Sequence, residues 1–384
     1  MKTVGILTTH RLPNYGSVLQ AYSLQQVIRN LGYKVKIIDY RYPNEFHKQR
    51  GGTSWRMKKK DILVMRTKMT LRPILEILGL RAKTKMDLLN KFISKEMNCT
   101  RLFKSYTDLH KNPPIFDIYV TGSDQIWNPY TMLGDMSYMF DFAPDGSKII
   151  SYASSFSCDK IPFEYQADYK KYLMRYSSIS VREANGVRIV KDLTGRNDAK
   201  LVIDPTLLLD KKSWNVLANK ARKLDLPSKY ILCYKLAYTY NPDKKMNEIL
   251  YFLQEKYKLP IVTFTPLPGW KGGEMIFLSE RKYSVGIYEF LNLFRNAEII
   301  ASSSFHGTAF ALNFGRPFLA LTKSNKQPDD RIATLLNLID LESQLVTTET
   351  NLNGNTNPFY NITKEQNVLN QLRNKSMMFL SDIL

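Results

Sequence analysis

The sequence predicts an α/β protein of two doubly wound domains that face one another across a cleft. Two observations predict it. Short apolar runs alternate with amphipathic helical stretches, the order that yields parallel sheets joined by right-handed crossovers. That rhythm breaks at Asp204-Pro205 and then starts again. A chain of 384 residues is also too long for one ordinary core and suits two.

Taken in order, Thr3 to Thr9 reads as a buried strand, and HRLPNYGS as the loop after it, punctuated by Pro13 and Gly16. Val18, Ala21, Tyr22, Leu24, Val27, Ile28 and Leu31 recur at helical spacing, and Gly32 closes that helix. VKIIDY is the next strand. Residues of about 48–96 leave the rhythm: they are basic, helical in pattern and interrupted at Pro73 and Gly79, which marks an insertion. FDIYVTG and KIISYASSF follow as strands, then a polar helix, the strand SISVRE, a helix from Ala184 to Leu193, and KLVID. After the break come YILCYKL, PIVTFTP, IIASSS and PFLALT as strands. Helices over Asp243–Tyr257, Ile287–Ala297, Phe305–Phe314 and Asp330–Leu341 accompany them. These signals predict a first domain over 1–204, a second over 205–362, and a closing helix over 363–384.

Composition narrows the class. Hydrophobic residues make up 44% and charged residues 23%, a globular balance rather than a disordered one. Cys99, Cys158 and Cys233 are odd in number and lack metal-ligand spacing, so a reduced, cytoplasmic setting is expected. The apolar run Val4 to Leu7 is too short for a signal peptide or a spanning helix. The formal net charge of +20 favours anionic partners. Much of the basic excess falls between His47 and Phe92, where only Asp61, Glu76 and Asp87 oppose it.

In doubly wound sheets ligands bind beyond the carboxyl ends of the strands, so motifs directly after strands carry the interest. Asn14-Tyr15-Gly16-Ser17 opens a helix whose free N–H groups suit an anion; an ordinary helix cap explains it equally well. Ser123-Asp124-Gln125 with Trp127 follows a strand; Asp124 can take a proton from a sugar hydroxyl and Trp127 can stack on a sugar face. Helix capping and core packing are the plainer alternatives for those two residues. Arg182 ends a strand and can grip a carboxylate or phosphate with two N–H groups, with Glu183 as a neutralising neighbour. Ser304, His306, Gly307 and Thr308 sit where a strand runs into a helix, a setting that suits an imidazole proton donor beside an anion. Arg331, in Asp329-Asp330-Arg331-Ile332, opens a later helix; it can reach the cleft, though an arginine so placed is more often a surface residue. Phosphate-loop, H-E-x-x-H and G-x-S-x-G patterns are absent, as is a zinc cluster, so no metal is expected.

The segments NYGSVLQAYSLQQ, VTGSDQIWNP, SVREANGV with IDPTLLL, and ASSSFHGTAFALNFGRPFLAL with DDRI occur here in that order. In this order they resemble the polysaccharide pyruvyl transferase family. The resemblance implies a GT-B-like pair of Rossmann-like domains. It implies transfer of the enolpyruvyl group of phosphoenolpyruvate, the donor substrate, to a lipid-linked or nucleotide-linked sugar, as a ketal in a surface polysaccharide precursor. His306 would be the main acid/base and Asp124 the hydroxyl-facing base or sugar anchor, with no cofactor bound by the protein. Some family members carry Arg-Leu-His where this chain reads Ser304-Phe305-His306, which leaves Arg182 and Arg331 to hold an anionic donor.

Two rival readings stand beside this one. A glycosyltransferase using a nucleotide sugar would employ the same architecture. A binder of nucleic acid or membrane surface would explain the charge, yet no nucleic-acid-binding signature is visible and no nucleic-acid partner is expected. In the insertion, Trp55, Ile62, Leu63, Met65, Met69, Leu71 and Ile74 offer an apolar face beneath lysines and arginines. Such a face suits peripheral contact with an anionic membrane, or packing on the first sheet.

Overall fold

A computed structural model describes residues 1–50, 84–237, 240–279, 282–324 and 330–384. The apolar face expected within the insertion, and Asp329, lie outside the described residues.

The first sheet holds β1 (Thr3–Leu7), β2 (Lys34–Ile37), β3 (Ile118–Thr121) and β4 (Lys148–Ser151) in the order β2-β1-β3-β4, all parallel. Isolated bridges from Ile150 to Ser178 and from Ser154 to Val181 extend it to the parallel pair β5 (Ser180–Val181) and β6 (Lys200–Leu201). The second sheet holds β7 (Ile231–Tyr234), β8 (Ile261–Thr263), β9 (Met275–Phe277), β10 (Ile299–Ser302), β11 (Phe318–Thr322) and β12 (Leu345–Thr347). Its order is β12-β11-β10-β7-β8-β9, again parallel throughout. Two parallel sheets interleaved with helices make the α/β, Rossmann-like fold that the alternating pattern implied, in the GT-B-like arrangement that the family resemblance implied.

Side chains alternate between the faces of each strand, and this decides how the sheets stack. Val4 and Ile6 of β1 enter one apolar cluster, while Leu7 enters another on the opposite face. In the second sheet Leu232, Ile300 and Phe318 join the same cluster as Val4, while Ile231, Ile299 and Leu319 turn to a third. The molecule is therefore a continuous stack in which the middle cluster belongs to both sheets. The helices Tyr15–Asn30, Lys85–Glu96, Ile287–Asn296 and Phe305–Phe314 feed their apolar faces into that middle layer. Lys85–Glu96, the helical end of the insertion, buries Leu89, Phe92 and Ile93 there after a Thr84 capping box.

The closing helix Ile362–Ile383 ties the halves from outside. Its Gln366 amide donates to Leu312 O at 2.7 Å, its Arg373 Nε donates to Leu207 O at 2.8 Å, and its Ser376 hydroxyl accepts Ile203 N–H at 3.3 Å. No described helix is long and apolar enough to cross a membrane.

Candidate functional site

The site assembles because six chain segments end at one place. Thr9 follows β1, Asp124 follows β3, Ser155 follows β4, Arg182 follows β5, Asp204 follows β6, and His306 follows β10. The first five come from the first sheet and the last from the second. The carboxyl ends of parallel strands, with helix N-termini beside them, are where such folds place ligands.

Asp124 is the hub. Its backbone adopts φ 81°, a left-handed conformation uncommon for a residue with a side chain and typical of strained functional positions. The Thr9 and Ser17 hydroxyls lie 3.1 and 2.8 Å from Oδ2, and the Gln125 N–H donates to Oδ1 at 2.9 Å. Arg182 Nη2 stands 3.4 Å from Oδ1. The other fork of Arg182 donates to Asp204 Oδ2 at 2.9 Å and to Ser123 Oγ at 3.2 Å, and Ser123 Oγ donates to Asp204 Oδ2 at 2.8 Å. The guanidinium also lies over the Phe305 ring at 4.8 Å. Asp204 turns its second oxygen to the Thr206 N–H and hydroxyl, at 2.9 and 2.7 Å.

His306 enters from the second half on the first turn of the helix Phe305–Phe314. Ser304 caps that helix by accepting from the Gly307 N–H at 3.3 Å, and the Thr308 hydroxyl donates to Ser304 O at 3.2 Å. The ring of His306 lies against Gly16. A Cβ added to Gly16 would fall 2.2 Å from Nδ1 and 2.3 Å from Cγ of the histidine, so only glycine fits. On the other side Nε2 stands 3.8 Å from Asp204 Oδ2 and has no hydrogen-bond partner among the described residues.

Electrostatics follow from this crowding. Burial pushes the His306 imidazole below its usual range; the Asp204 and Asp124 carboxylates oppose the shift, and the Arg182 and Arg331 guanidiniums reinforce it. Burial alone would raise Asp124, but the Arg182 and His306 charges, the Ser17 hydroxyl and the Gln125 N–H hold it below the usual carboxylate range. Asp204 is likewise held down against burial, by His306, Arg182 and Thr206. The histidine's share exists only when it is protonated; Arg182 supplies the permanent part. Arg182 Nε, Glu183 Oε2 and Ser155 Oγ are further buried polar atoms without a hydrogen-bond partner among the described residues. Such a concentration of unmatched groups is unusual in a packed interior and marks a functional region.

The structure gathers Asp124, Ser123, Ser17, Gly16, Arg182 and His306 around one point, while the Ser304 hydroxyl and the Gly307 N–H are taken up by the helix cap and Gly307 packs toward Ser302 and Tyr234. Arg331, in the first turn of the helix Asp330–Leu338, is near enough for its charge to act on His306 and Glu183. Gln125 remains half-buried beside Asp124, with its Oε1 3.4 Å from Asn128 Nδ2. Thr308 is fully buried and serves the cap.

Other expectations need correction. Trp127 is 0% exposed, its ring 5.1 Å from Phe156 and 5.5 Å from Tyr176, so it is core and presents no face to a sugar. Tyr15 stacks on Phe290 at 4.5 Å and donates to Val285 O at 2.9 Å; it joins the two halves rather than facing a ligand. Asn14 caps the helix Tyr15–Asn30 by accepting from the Gly16 N–H, the plainer of its two readings. Glu183 does not neutralise Arg182 directly. Its Oε1 accepts from the Phe156 and Ser157 N–H groups, and Asp204 and Asp124 balance the arginine instead.

Sequence reasoning missed Thr9 and Asp204. Asp204 carried a signal, a carboxylate at the end of a strand, but its Pro205 neighbour made it read as a junction only. It also missed a group outside the site, His10, Asp39 and Cys99, whose ligand atoms lie within 4.8 Å of one another. Arg11 already grips the Asp39 carboxylate through Nε and Nη2, and burial pushes the Cys99 thiol up to about 12, so the group is poorly disposed to hold a cation.

Among solved structures the chain is similar to the UDP-GlcNAc 2-epimerase of Neisseria meningitidis, with 11% identity and a TM-score of 0.46 over 97% of this chain and 91% of that one. It is similar to the UDP-GlcNAc 2-epimerase of Methanocaldococcus jannaschii, with 14% identity and a TM-score of 0.43 over 97% and 99%. It is also similar to a glycotransferase of kitacinnamycin, with 9% identity and a TM-score of 0.46 over 99% and 97%. No curated protein matches it. The ordered motifs that build the cluster, from Asn14 through Asp124 and Arg182 to His306, all fall within residues 14–325, the stretch that matches the family's model, and the chain belongs to the polysaccharide pyruvyl transferase family.

Proposed function

We propose that this enzyme transfers the enolpyruvyl group of phosphoenolpyruvate to a sugar of a surface polysaccharide precursor, closing a pyruvate ketal across two hydroxyls. The observation that supports the reading most is the convergence of His306, from one half, with Asp124 and Arg182, from the other. Phosphoenolpyruvate carries a carboxylate and a phosphate, and Arg182 and Arg331 are the cations beside the histidine. In this reading the donor exchanges places with the carboxylates that now balance Arg182.

His306, once protonated, gives its proton to the donor's methylene carbon, which becomes a methyl group and leaves positive charge on the adjacent carbon. A sugar hydroxyl attacks that carbon and loses its proton. Phosphate then departs with the donor's C–O bond electrons, and a second hydroxyl closes the ring, its proton passing to the now neutral His306. A carboxylate held as low as Asp124 is a weak base. Its part is to anchor the hydroxyl and to accept the proton only as the new C–O bond forms. The acceptor is a lipid-linked or nucleotide-linked sugar, and the work is placed on the cytoplasmic side, with peripheral membrane contact through the basic insertion.

The test is phosphate release from phosphoenolpyruvate by the purified protein, offered lipid-linked and nucleotide-linked hexoses. Acceptor-dependent release that falls by at least about 100-fold in His306→Ala supports the reading, since a positioned acid or base supplies about 100- to 10,000-fold. Turnover of a nucleotide sugar with no phosphate release would replace it with glycosyl transfer.

A further inference from the structure

We propose that Asp204 is a positioning residue for His306, and that it shares its negative charge between Arg182 and the imidazole so that a bound anion on Arg182 raises the histidine's hold on a proton. The inference rests on the proposed acid role of His306, and the geometry carries it further. Asp204 divides its two oxygens between two tasks. Oδ1 caps the short helix Pro205–Leu208 through Thr206. Oδ2 faces the site, where it takes Arg182 Nη1 at 2.9 Å and Ser123 Oγ at 2.8 Å and stands 3.8 Å from the unpartnered His306 Nε2. A plain cap needs only the first of these.

The groups that face His306 are two carboxylates and two guanidiniums: Asp204, Asp124, Arg182 and Arg331. The helix Tyr15–Asn30 meets the ring at Gly16, which has no charge to add. In the free protein Arg182 pairs with both carboxylates and weakens their pull on the histidine, whose hold on a proton burial keeps below its usual range. An anion that draws Arg182 toward itself leaves Oδ2 of Asp204 uncompensated beside Nε2. A carboxylate in that position favours the imidazolium. The general acid thus holds its proton more firmly once the donor is bound. Phosphoenolpyruvate supplies the negative charge and Asp204 makes the histidine respond to it. Catalytic hydrogen bonds are often long in unliganded enzymes and tighten in the complex, so 3.8 Å is a separation that binding can close.

The experiment follows the imidazole directly. The full chain, with its four histidines isotopically labelled, is titrated by NMR, and the His306 signal is identified by its loss in His306→Gln. Asp204→Asn should lower the His306 midpoint by about one pH unit or more, as expected for loss of a carboxylate partner. Ser123→Ala removes a hydrogen-bond donor from Oδ2 and leaves it more negative, so the same midpoint should rise. Opposite signs from the two variants are not expected of a residue that only caps a helix. Phosphoenolpyruvate should raise the wild-type midpoint, and by less in Asp204→Asn. An unchanged midpoint in Asp204→Asn overturns the proposal. If that variant does not fold, Ser123→Ala decides alone, and a midpoint that stays or falls there overturns it. None of these readings needs turnover. Failure of phosphate release would remove the pyruvyl-transfer reading and leave the Asp204 result standing.

Discussion

At the scale of single residues, burial raises every carboxyl group's hold on its proton, and what differs is compensation. Asp124 and Asp204 are deeply placed yet held low because Arg182 stands between them. Glu365, in the first turn of the closing helix, is 2% exposed and lacks such a partner among the described residues: Gln366 Nε2 donates to Oε2 at 2.9 Å, while Oε1 has none there. Burial therefore pushes it up to about 7, with Gln366 and Arg373 opposing only weakly. The sign follows from proton counting. Between the ordinary value of 4.5 and about 7 the native state keeps a proton that the unfolded chain has lost. The contribution of Glu365 is fully present below 4.5 and is lost as pH rises through 7. Glu365→Gln has no such loss, so relative to wild type it should gain about 3 kcal/mol between pH 4 and pH 8. Denaturant unfolding of both proteins at the two pH values measures this, and a difference that does not change with pH would refute it. Residue types were readable from the sequence, but compensation was not. Arg182 suggested an anion site, while its partner Asp204 looked like punctuation because the two are brought together only when β5 and β6 pair. Trp127 erred the other way: an aromatic in a polar cluster invites a stacking role, and only packing against Phe156 and Tyr176 shows that it is core.

At the scale of elements, the period of the apolar residues placed most of the helices well, because their buried stripes are long. Asp243–Tyr257 and Phe305–Phe314 match their expected bounds, whereas Met275–Phe277 and Leu345–Thr347 escaped notice. Both are three-residue edge strands, too short for alternation to register. What periodicity cannot reveal is where two helix ends meet. The amino ends of Tyr15–Asn30 and Phe305–Phe314 meet so closely that the His306 ring occupies the place of a side chain on Gly16. Gly16→Ala must therefore move the imidazole or separate the two helices. Overpacking of this kind costs about 1–3 kcal/mol, which the middle cluster can absorb, but a displaced proton donor is not absorbed. The expected outcome is a folded protein, with thermal unfolding only modestly lowered, and at least about tenfold less acceptor-dependent phosphate release. Equal losses of activity in Gly16→Ala and in a substitution at a buried glycine away from the strand ends, such as Gly5, whose Cβ would meet the Phe116 ring, would show that the contact has no special place.

At the scale of the whole molecule, two sheets were expected, and among the described residues two parallel sheets carry the fold, with the pair β5–β6 bridged to the first. The middle cluster adds a property that no stretch of sequence displays, because its members come from both halves. Val4 and Ile6 on one side and Leu232, Ile300 and Phe318 on the other are all 1% exposed or less within one apolar layer. Tyr15 reaches across to Phe290, and the closing helix bonds to Ile203, Leu207 and Leu312. A half that unfolded alone would expose the face it shares with its neighbour, at roughly 25 cal/mol for each Å² of apolar surface bared. Independent unfolding is thus penalised from either side, and the chain should lose both sheets in one transition. Two tryptophans make this measurable. Trp127 lies in the cluster beyond the first sheet, and Trp214 lies in the shared layer, 5.1 Å from Phe310. Variants that retain only one of them, with the other tryptophans changed to phenylalanine, should report the same denaturant midpoint. Tyr15→Ala should lower both midpoints together, by about 3–5 kcal/mol of stability if it behaves as other large buried aromatics do. Separate midpoints would mean that the halves are independent units. The register of His306 against Gly16 and Asp204 would then depend on how they dock rather than on a common core.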